Sequence, residues 1–313
     1  MLRSLPLLAA LCAFAIVPST FAALAYPPKF PDARAEVYKT VGDTQLSLYI
    51  FEPPAPPSAP ASGSAPAAPT AKNRPAIVFF FGGGWTSGSP AQFEQHCRAL
   101  AARGMVAITA DYRVSSRHKV KPVDCVADAK SALRWVRTHA ARLGIDPRRI
   151  AAGGGSAGGH LAAAIATLPG FETPGENPTI SSAPDALVLF NPALVFAPLP
   201  GLALGDFADR VPTDRMGTDP KNLSPAHHVK KGAPPTIIFH GQADTTVPYA
   251  TAEAFTTVMK AAGNRCELVG TPGATHGFFN YGRGDNSGYR ATLAATDAFL
   301  VSLGWLPALP PAK

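Results

Sequence analysis

Apolar residues recur along this chain in two rhythms. Ala76–Phe81, Met105–Ala110, Ala186–Phe190 and Thr236–His240 are nearly continuous apolar runs, the pattern of strands buried on both faces. Between them Val126, Ala129, Leu133 and Val136 recur at helical spacing and predict a helix over Pro122–Leu143. Further helices are expected over Ala91–Arg103, Ala157–Thr167 and Pro248–Ala262, and a last one ends at Leu303. Asp146-Pro147 is expected to break the chain before a short strand at Ile150–Ala152, and another strand is expected at Cys266–Val269. Strands that alternate with helices predict an α/β fold with a mostly parallel central sheet and helices on both faces. At the front, Val37–Val41 and Leu46–Phe51 read as a hairpin turning at Gly42-Asp43.

Three segments break this rhythm. Residues 1–25 combine Arg3, an apolar stretch over Leu5–Val17 and the small-residue site Ala23-Leu24-Ala25, the anatomy of a secretory signal cleaved after Ala25. Its apolar run is shorter than the roughly 18 residues of a spanning helix, so a secreted or periplasmic protein is expected, with no membrane partner. Residues 53–74 are a Pro/Ala/Ser-rich tract without period, read as an extended disordered loop inserted between two strands of a single domain, 26–313. Residues 193–234 carry Pro and Gly throughout. A stretch of that length without periodicity is unusual in a compact domain, and it is expected to form an irregular excursion near the site.

Composition narrows the class. Hydrophobic residues make 46% of the 313 positions and charged residues 16%, which excludes intrinsic disorder. The 33 prolines point to long loops rather than coiled coil. The net charge of +7 is too dispersed for a nucleic-acid partner, and its densest run, Arg117, His118, Lys119 and Lys121, reads as a solvated loop. Cys12 leaves with the signal. Cys97, Cys125 and Cys266 are expected as small buried residues, since a Cys97–Cys125 bridge would have to join helices on opposite sheet faces.

Gly154-Gly155-Ser156-Ala157-Gly158 matches G-x-S-x-G between an expected strand and an expected helix, the setting of a nucleophile elbow. No Lys follows as in a phosphate-binding loop. A serine hydroxyl needs a base, and the base an orienting carboxylate. Asp244, after the strand at Thr236–His240, and His276, after the strand at Cys266–Val269, supply them in the order Ser156, Asp244, His276. His160 lies on the serine's own helix and is expected to pack behind it. His240 is expected beside the acid loop. His227-His228 lacks a second ligand pair and reads as loop. Asp128, Asp185 and Asp297 read as helix-surface or capping carboxylates, and Asp111 comes too early in the order to serve the base. Acyl transfer also needs N–H donors for an oxyanion. Gly83 and Gly84, in Phe81-Gly82-Gly83-Gly84-Trp85, are expected to donate together with Ala157, and Trp85 to line the substrate pocket. No metal and no cofactor are called for.

The segments FFFGGGW, GGGSAGGHLAAA, HGQADTTVP and THGFF, in that order, resemble the α/β-hydrolase esterases over roughly residues 36–303. The likeness is strongest to bacterial exported esterases of the acetyl-xylan and feruloyl type, and more distant to the hormone-sensitive-lipase-like group. It implies the same triad and oxyanion residues. Two departures separate the chain from the lipase-like branch: Phe81 stands where that branch has the histidine of HGGG, and no N-terminal helical cap precedes Ala76. The expected function is an exported serine carboxylesterase acting on a small-molecule or polysaccharide ester, with acetyl or feruloyl groups of plant polysaccharides as the substrate class. A serine peptidase, an arylformamidase-like amidase and a non-catalytic binding protein of the same fold are the alternatives.

Overall fold

The computed structural model describes residues 25–54 and 73–309. The proposed leader, up to Leu24, and most of the Pro/Ala/Ser-rich tract, 55–72, lie outside the described residues. The elements follow in the order β1 (Arg34–Val41), β2 (Thr44–Phe51), β3 (Arg74–Phe80), α1 (Glu94–Ala102), β4 (Val106–Ala110), α2 (Ser115–His118), α3 (Pro122–Thr138), β5 (Ile145–Gly155), α4 (Ala157–Thr167), β6 (Ala186–Phe190), α5 (Thr213–Met216), β7 (Thr236–Gly241), α6 (Tyr249–Ala261), β8 (Cys266–Thr271) and α7 (Ser287–Ser302). They build one eight-stranded sheet ordered β1-β2-β4-β3-β5-β6-β7-β8. The β1–β2 hairpin and its junction with β4 are antiparallel, and every other pairing is parallel.

Alternation along β3 explains why both faces are covered. Ala76, Val78 and Phe80 enter the core that also holds Val126 and Leu133 of α3, Leu161 of α4 and Phe255 of α6. Ile77 and Phe79 enter the opposite core with Cys97 and Leu100 of α1 and Phe299 of α7. Cys97 and Cys125 therefore sit on opposite faces, and all three described cysteines are free and buried.

Several expectations shift. The strand foreseen at Ile150–Ala152 runs from Ile145 to Gly155 and takes in Asp146-Pro147, because its register against β3 slips there instead of the strand ending. The helix foreseen to Leu143 stops at Thr138 and unwinds through turns to Gly144, whose positive φ of 68° ends it. Arg117 and His118 belong to the short helix α2 rather than a loop, and the Arg117 guanidinium lies 3.6 Å above the Tyr26 ring. Asp128 is not on a helix surface. It is fully buried, with Lys39 Nζ at 2.7 Å and Arg113 Nε at 2.8 Å, so it clamps β1 and the loop after β4 onto α3. Removing Asp128 would leave Lys39 and Arg113 without their shared buried carboxylate.

One buried polar group stands apart. His96 is enclosed by Phe79, Phe93, Phe190, Phe279 and Tyr289, and neither ring nitrogen has a hydrogen-bond partner among the described residues. Burial pushes its pKa down to about 3, so the ring stays neutral in the fold. The unfolded chain binds a proton below about pH 6.5 that the folded chain refuses, so this residue costs stability increasingly as pH falls from 6.5 toward 3. His96→Leu is expected to stabilise the protein by about 1 kcal/mol at pH 7.5 and by roughly 2 kcal/mol more at pH 5. Urea titrations at the two pH values check this, and an equal or smaller gain at pH 5 contradicts it.

Candidate active site

The site is built where β5 ends. Gly154 pairs with Phe80 of β3, and Gly155 with Phe190 of β6. The chain then turns at Ser156 (φ 54°, ψ −118°), whose N–H donates to Phe190 O at 2.9 Å before α4 begins. This left-handed backbone at a non-glycine residue is a local strain held by its surroundings. The turn brings α4 so close to β3 that a Cβ on Gly158 would lie 2.0 Å from Phe80 O. Gly158→Ala must push these backbones apart and is expected to cost on the order of 3 kcal/mol, a fall of roughly 6–12 °C in melting midpoint. A midpoint within 1 °C of wild type would show that the close approach is not needed.

Asp244 and His276 are brought together by the loops after β7 and β8. Gln242 N–H donates to Thr271 O at 3.0 Å and Ala243 N–H to Ala274 O at 3.0 Å, lacing the two loops. His276 Nδ1 then donates to Asp244 Oδ2 at 2.7 Å. The same oxygen accepts from Asn191 Nδ2 at 2.6 Å, while Oδ1 accepts the Thr246 and Val247 N–H groups at 2.8 and 3.0 Å. His240 is fully buried, donates from Nε2 to Val247 O at 2.9 Å, and holds that nitrogen 3.3 Å from Asp244 Oδ2. Burial pushes the Asp244 carboxyl up, but the hydrogen bonds from His240 and His276 and the charge of His276 outweigh it and leave the pKa well below the usual carboxylate range. When His276 acts as a base, its Nδ1–H bond to Asp244 fixes the ring proton on Nδ1 and leaves Nε2 as the basic nitrogen. Phe279 packs its ring against Gly155, docking the histidine loop on the elbow.

The glycine loop after β3 is braced from three sides. Phe81, where the lipase-like motif has histidine, stacks on Tyr112 at 4.1 Å, and Tyr112 Oη donates to Phe81 O at 2.7 Å. Gly82 N–H donates to Gln92 Oε1 at 2.6 Å, and Gln92 Nε2 donates to Asn280 Oδ1 at 2.9 Å, joining this loop to the histidine loop. Gly83, at φ 121°, folds back so that its carbonyl accepts the Thr86 and Ser87 N–H groups at 3.0 and 3.1 Å, and a Cβ there would strike Ser87 O at 2.2 Å. The Gly83 and Gly84 N–H groups make no hydrogen bond among the described residues. Ala157 opens α4, where N–H groups have no intrahelical acceptor. Trp85 sits at φ 59°, and its Nε1 donates to His160 Nδ1 at 3.2 Å. His160 Nε2 donates to Leu223 O at 2.8 Å, so this buried ring is a neutral brace, its pKa pushed down to about 4 by burial.

A cavity of about 300 Å³ opens here. Ser156, Ala157, Gly84 and Trp85 line it, and the excursion expected over 193–234 supplies another wall through Phe207, Arg210, Val211 and Arg215. Gly83 does not line it. The excursion is a chain of short turns, with α5 its one α-helix among the described residues. Asn191, Gln92, Asn280, Arg210 and Arg215 carried no sequence signal; only Asn191, one residue after β6, occupies a strand-end position that marked the other site residues. His227 bonds Ser224 Oγ and His228 bonds Lys221 O, and no three His, Cys, Asp or Glu side chains gather as metal ligands among the described residues. No helix among them is long and apolar enough to cross a membrane.

A family model described as the alpha/beta hydrolase fold matches residues 77–280. Esterase LipC of Mycobacterium tuberculosis is 33% identical over 220 residues, 66% of this chain and 54% of LipC, so the chain spans about half the length of that relative. Carboxylesterase NlhH of the same organism is 28% identical over 278 residues, covering 82% of this chain and 78% of NlhH. Among solved structures, Thermogutta terrifontis esterase 2 phosphorylated by paraoxon is 53% identical with a TM-score of 0.81, covering 91% of this chain and 100% of that chain. Its propionate-bound form is 54% identical with a TM-score of 0.82, covering 92% and 100%. All of these are named as esterases or carboxylesterases, and none of them is named for acetyl-xylan or feruloyl esters.

Proposed function

The chain belongs to the α/β-hydrolase fold family, among its carboxylic ester hydrolases, and on that premise we propose that Ser156, His276 and Asp244 hydrolyse carboxylic esters through an acyl-enzyme. The observation that carries this reading is the His276–Asp244 hydrogen bond of 2.7 Å, which leaves Nε2 as the base in the loop docked against the elbow of Ser156. As Ser156 Oγ bonds to the ester carbonyl carbon, His276 Nε2 takes its proton. Negative charge collects on the carbonyl oxygen, held by the N–H groups of Gly84 and Ala157 at the cavity wall, each such donor worth about 10²–10³ in rate. The tetrahedral adduct expels the alkoxide, which takes the proton from His276 and leaves as alcohol. Water then gives its proton to His276 as its oxygen bonds to the acyl carbon, and collapse returns the proton to Ser156 and releases the carboxylic acid.

We infer further that the protein is exported after cleavage behind Ala25 and acts on acetyl or feruloyl esters of plant polysaccharides. Supporting export, Arg3, the apolar stretch over Leu5–Val17 and the small-residue site Ala23-Leu24-Ala25 have the anatomy of a secretory signal. Supporting short acyl groups, the cavity is small and Trp85, Ala193, Val211 and Val247 give it apolar walls. Residues 26–313 are expected to release acetate from acetylated xylan and to be labelled by paraoxon on Ser156. Labelling without acetate release would keep the esterase and remove the polysaccharide; labelling on another residue would remove the assignment of Ser156. Intact mass of the exported protein checks the leader, and retention of Met1 would reject it.

A further inference from the structure

The cavity at Ser156 is lined by two arginines that no carboxylate pairs with among the described residues. Arg215 donates from Nη2 to Gly84 O at 2.9 Å and from Nη1 to Arg210 O, and its guanidinium lies 5.6 Å from the Trp85 ring centroid. Arg210 donates from Nη1 to Thr246 O at 2.9 Å and to Thr245 O at 3.4 Å. Both residues line the cavity beside Ser156, and neither makes an ion pair among the described residues. Asp209 is the one acidic residue among the lining residues, and it is paired with neither arginine.

Carbonyl partners fix the two guanidinium groups without cancelling their charge. Partial desolvation makes this costly for Arg215, whose pKa burial pushes below its ordinary value. A surface tether alone does not require a cation; a guanidinium without an ion-pair partner at a reaction cavity has the chemistry of an anion receptor. An arginine fork also matches a carboxylate in geometry, and its remaining N–H groups are free for one.

We propose that Arg215, assisted by Arg210, selects esters carrying a carboxylate a few atoms from the scissile bond. This rests on the reading of Ser156 as the nucleophile and adds a preference for anionic esters over matched neutral ones. The carboxylate can belong to the acyl half or to the alcohol half, and two matched substrate pairs separate these sources: 4-nitrophenyl hexanoate against the 4-nitrophenyl monoester of adipate, and 3-acetoxybenzamide against 3-acetoxybenzoate. In at least one pair the anionic member is expected to have a kcat/KM about tenfold higher, the factor that corresponds to ~1.4 kcal/mol, and to owe it mainly to a lower KM. The preference is expected to shrink toward one at about 1 M salt, where the Debye length falls to about 3 Å.

Arg215→Gln is expected to bring the anionic-to-neutral ratio to about one, and Arg210→Gln to lower it in part. Equal or inverted preference in both pairs for wild type overturns the proposal. So does a proportional loss on both members of a pair in Arg215→Gln, which would make Arg215 only a brace for the Gly84 loop. If wild type turns over none of the four esters and paraoxon leaves Ser156 unlabelled, the failure lies in the reading of the nucleophile itself.

Discussion

Ser156→Ala is expected to lower kcat on a small aryl acetate by about six orders of magnitude, the scale of loss seen when a triad nucleophile is removed. The elbow presents one side chain at the junction of β5 and α4, and its backbone is fixed by the Ser156 N–H bond to Phe190 O and by the His160 N–H bond to Ser156 O, both 2.9 Å. Alanine keeps the Cβ and both backbone bonds, so the strained φ of 54° is carried over unchanged and the melting midpoint is expected to move by no more than a few degrees. What remains is the water reaction in a preorganised oxyanion site. Steady-state rates on protein free of wild-type contamination check this. A variant retaining more than about 1% of wild-type kcat would remove Ser156 from the mechanism, far outside the expected loss.

The parts of this site that the sequence disclosed share one property: each follows the end of an expected strand. Ser156 follows β5, Asp244 and His276 follow β7 and β8, and the glycine loop follows β3. In a parallel sheet these ends lie along one edge, so chain order and strand pattern suffice to gather them. The strand limits were harder. Asp146-Pro147 reads locally as a break, yet β3 pairs with β5 on both sides of it, Arg74 with Ile145 and Ala76 with Ile150, with a shifted register. Tertiary pairing decided that, not local propensity.

Residues that act through a distant partner were not legible. Asp128 sits at an ordinary helix position, and only the fold brings Lys39 from β1 and Arg113 from the loop after β4 to its carboxylate. Gln92 and Asn280 are 188 positions apart and meet because the loops after β3 and β8 converge at the elbow. His96 looks like any polar residue on a helix carrying Phe93, Cys97 and Leu100. Its burial follows from Phe190 and Phe279, which the sequence does not place near it. The excursion over 193–234 had no period to read, since its short turns are shaped by packing against Trp85 and the Arg215–Gly84 contact rather than by their own pattern.

Asp244→Asn is expected to lower kcat about 10⁴-fold with little change in the architecture of the site. The wild-type carboxylate accepts from His276 and Asn191 on Oδ2, with His240 Nε2 3.3 Å from the same oxygen, and from the Thr246 and Val247 N–H groups on Oδ1. An amide has one accepting end. If its oxygen faces Thr246 and Val247, its NH₂ meets His276 Nδ1 and Asn191 Nδ2, donor against donor. His276 is then driven to the tautomer with the proton on Nε2, which cannot take one from Ser156. If the amide turns round, the two backbone donors are left unpaired in a buried loop instead. Stability follows the charge. The native pKa of Asp244 lies below its unfolded value, so its carboxylate stabilises the fold above about pH 4, and that contribution is lost as pH falls further. The gap in melting midpoint between wild type and Asp244→Asn is therefore expected to be full at pH 7 and to narrow below pH 4. A gap that stays constant to pH 3, or a kcat within tenfold of wild type, would show that Asp244 neither carries the charge nor orients the base.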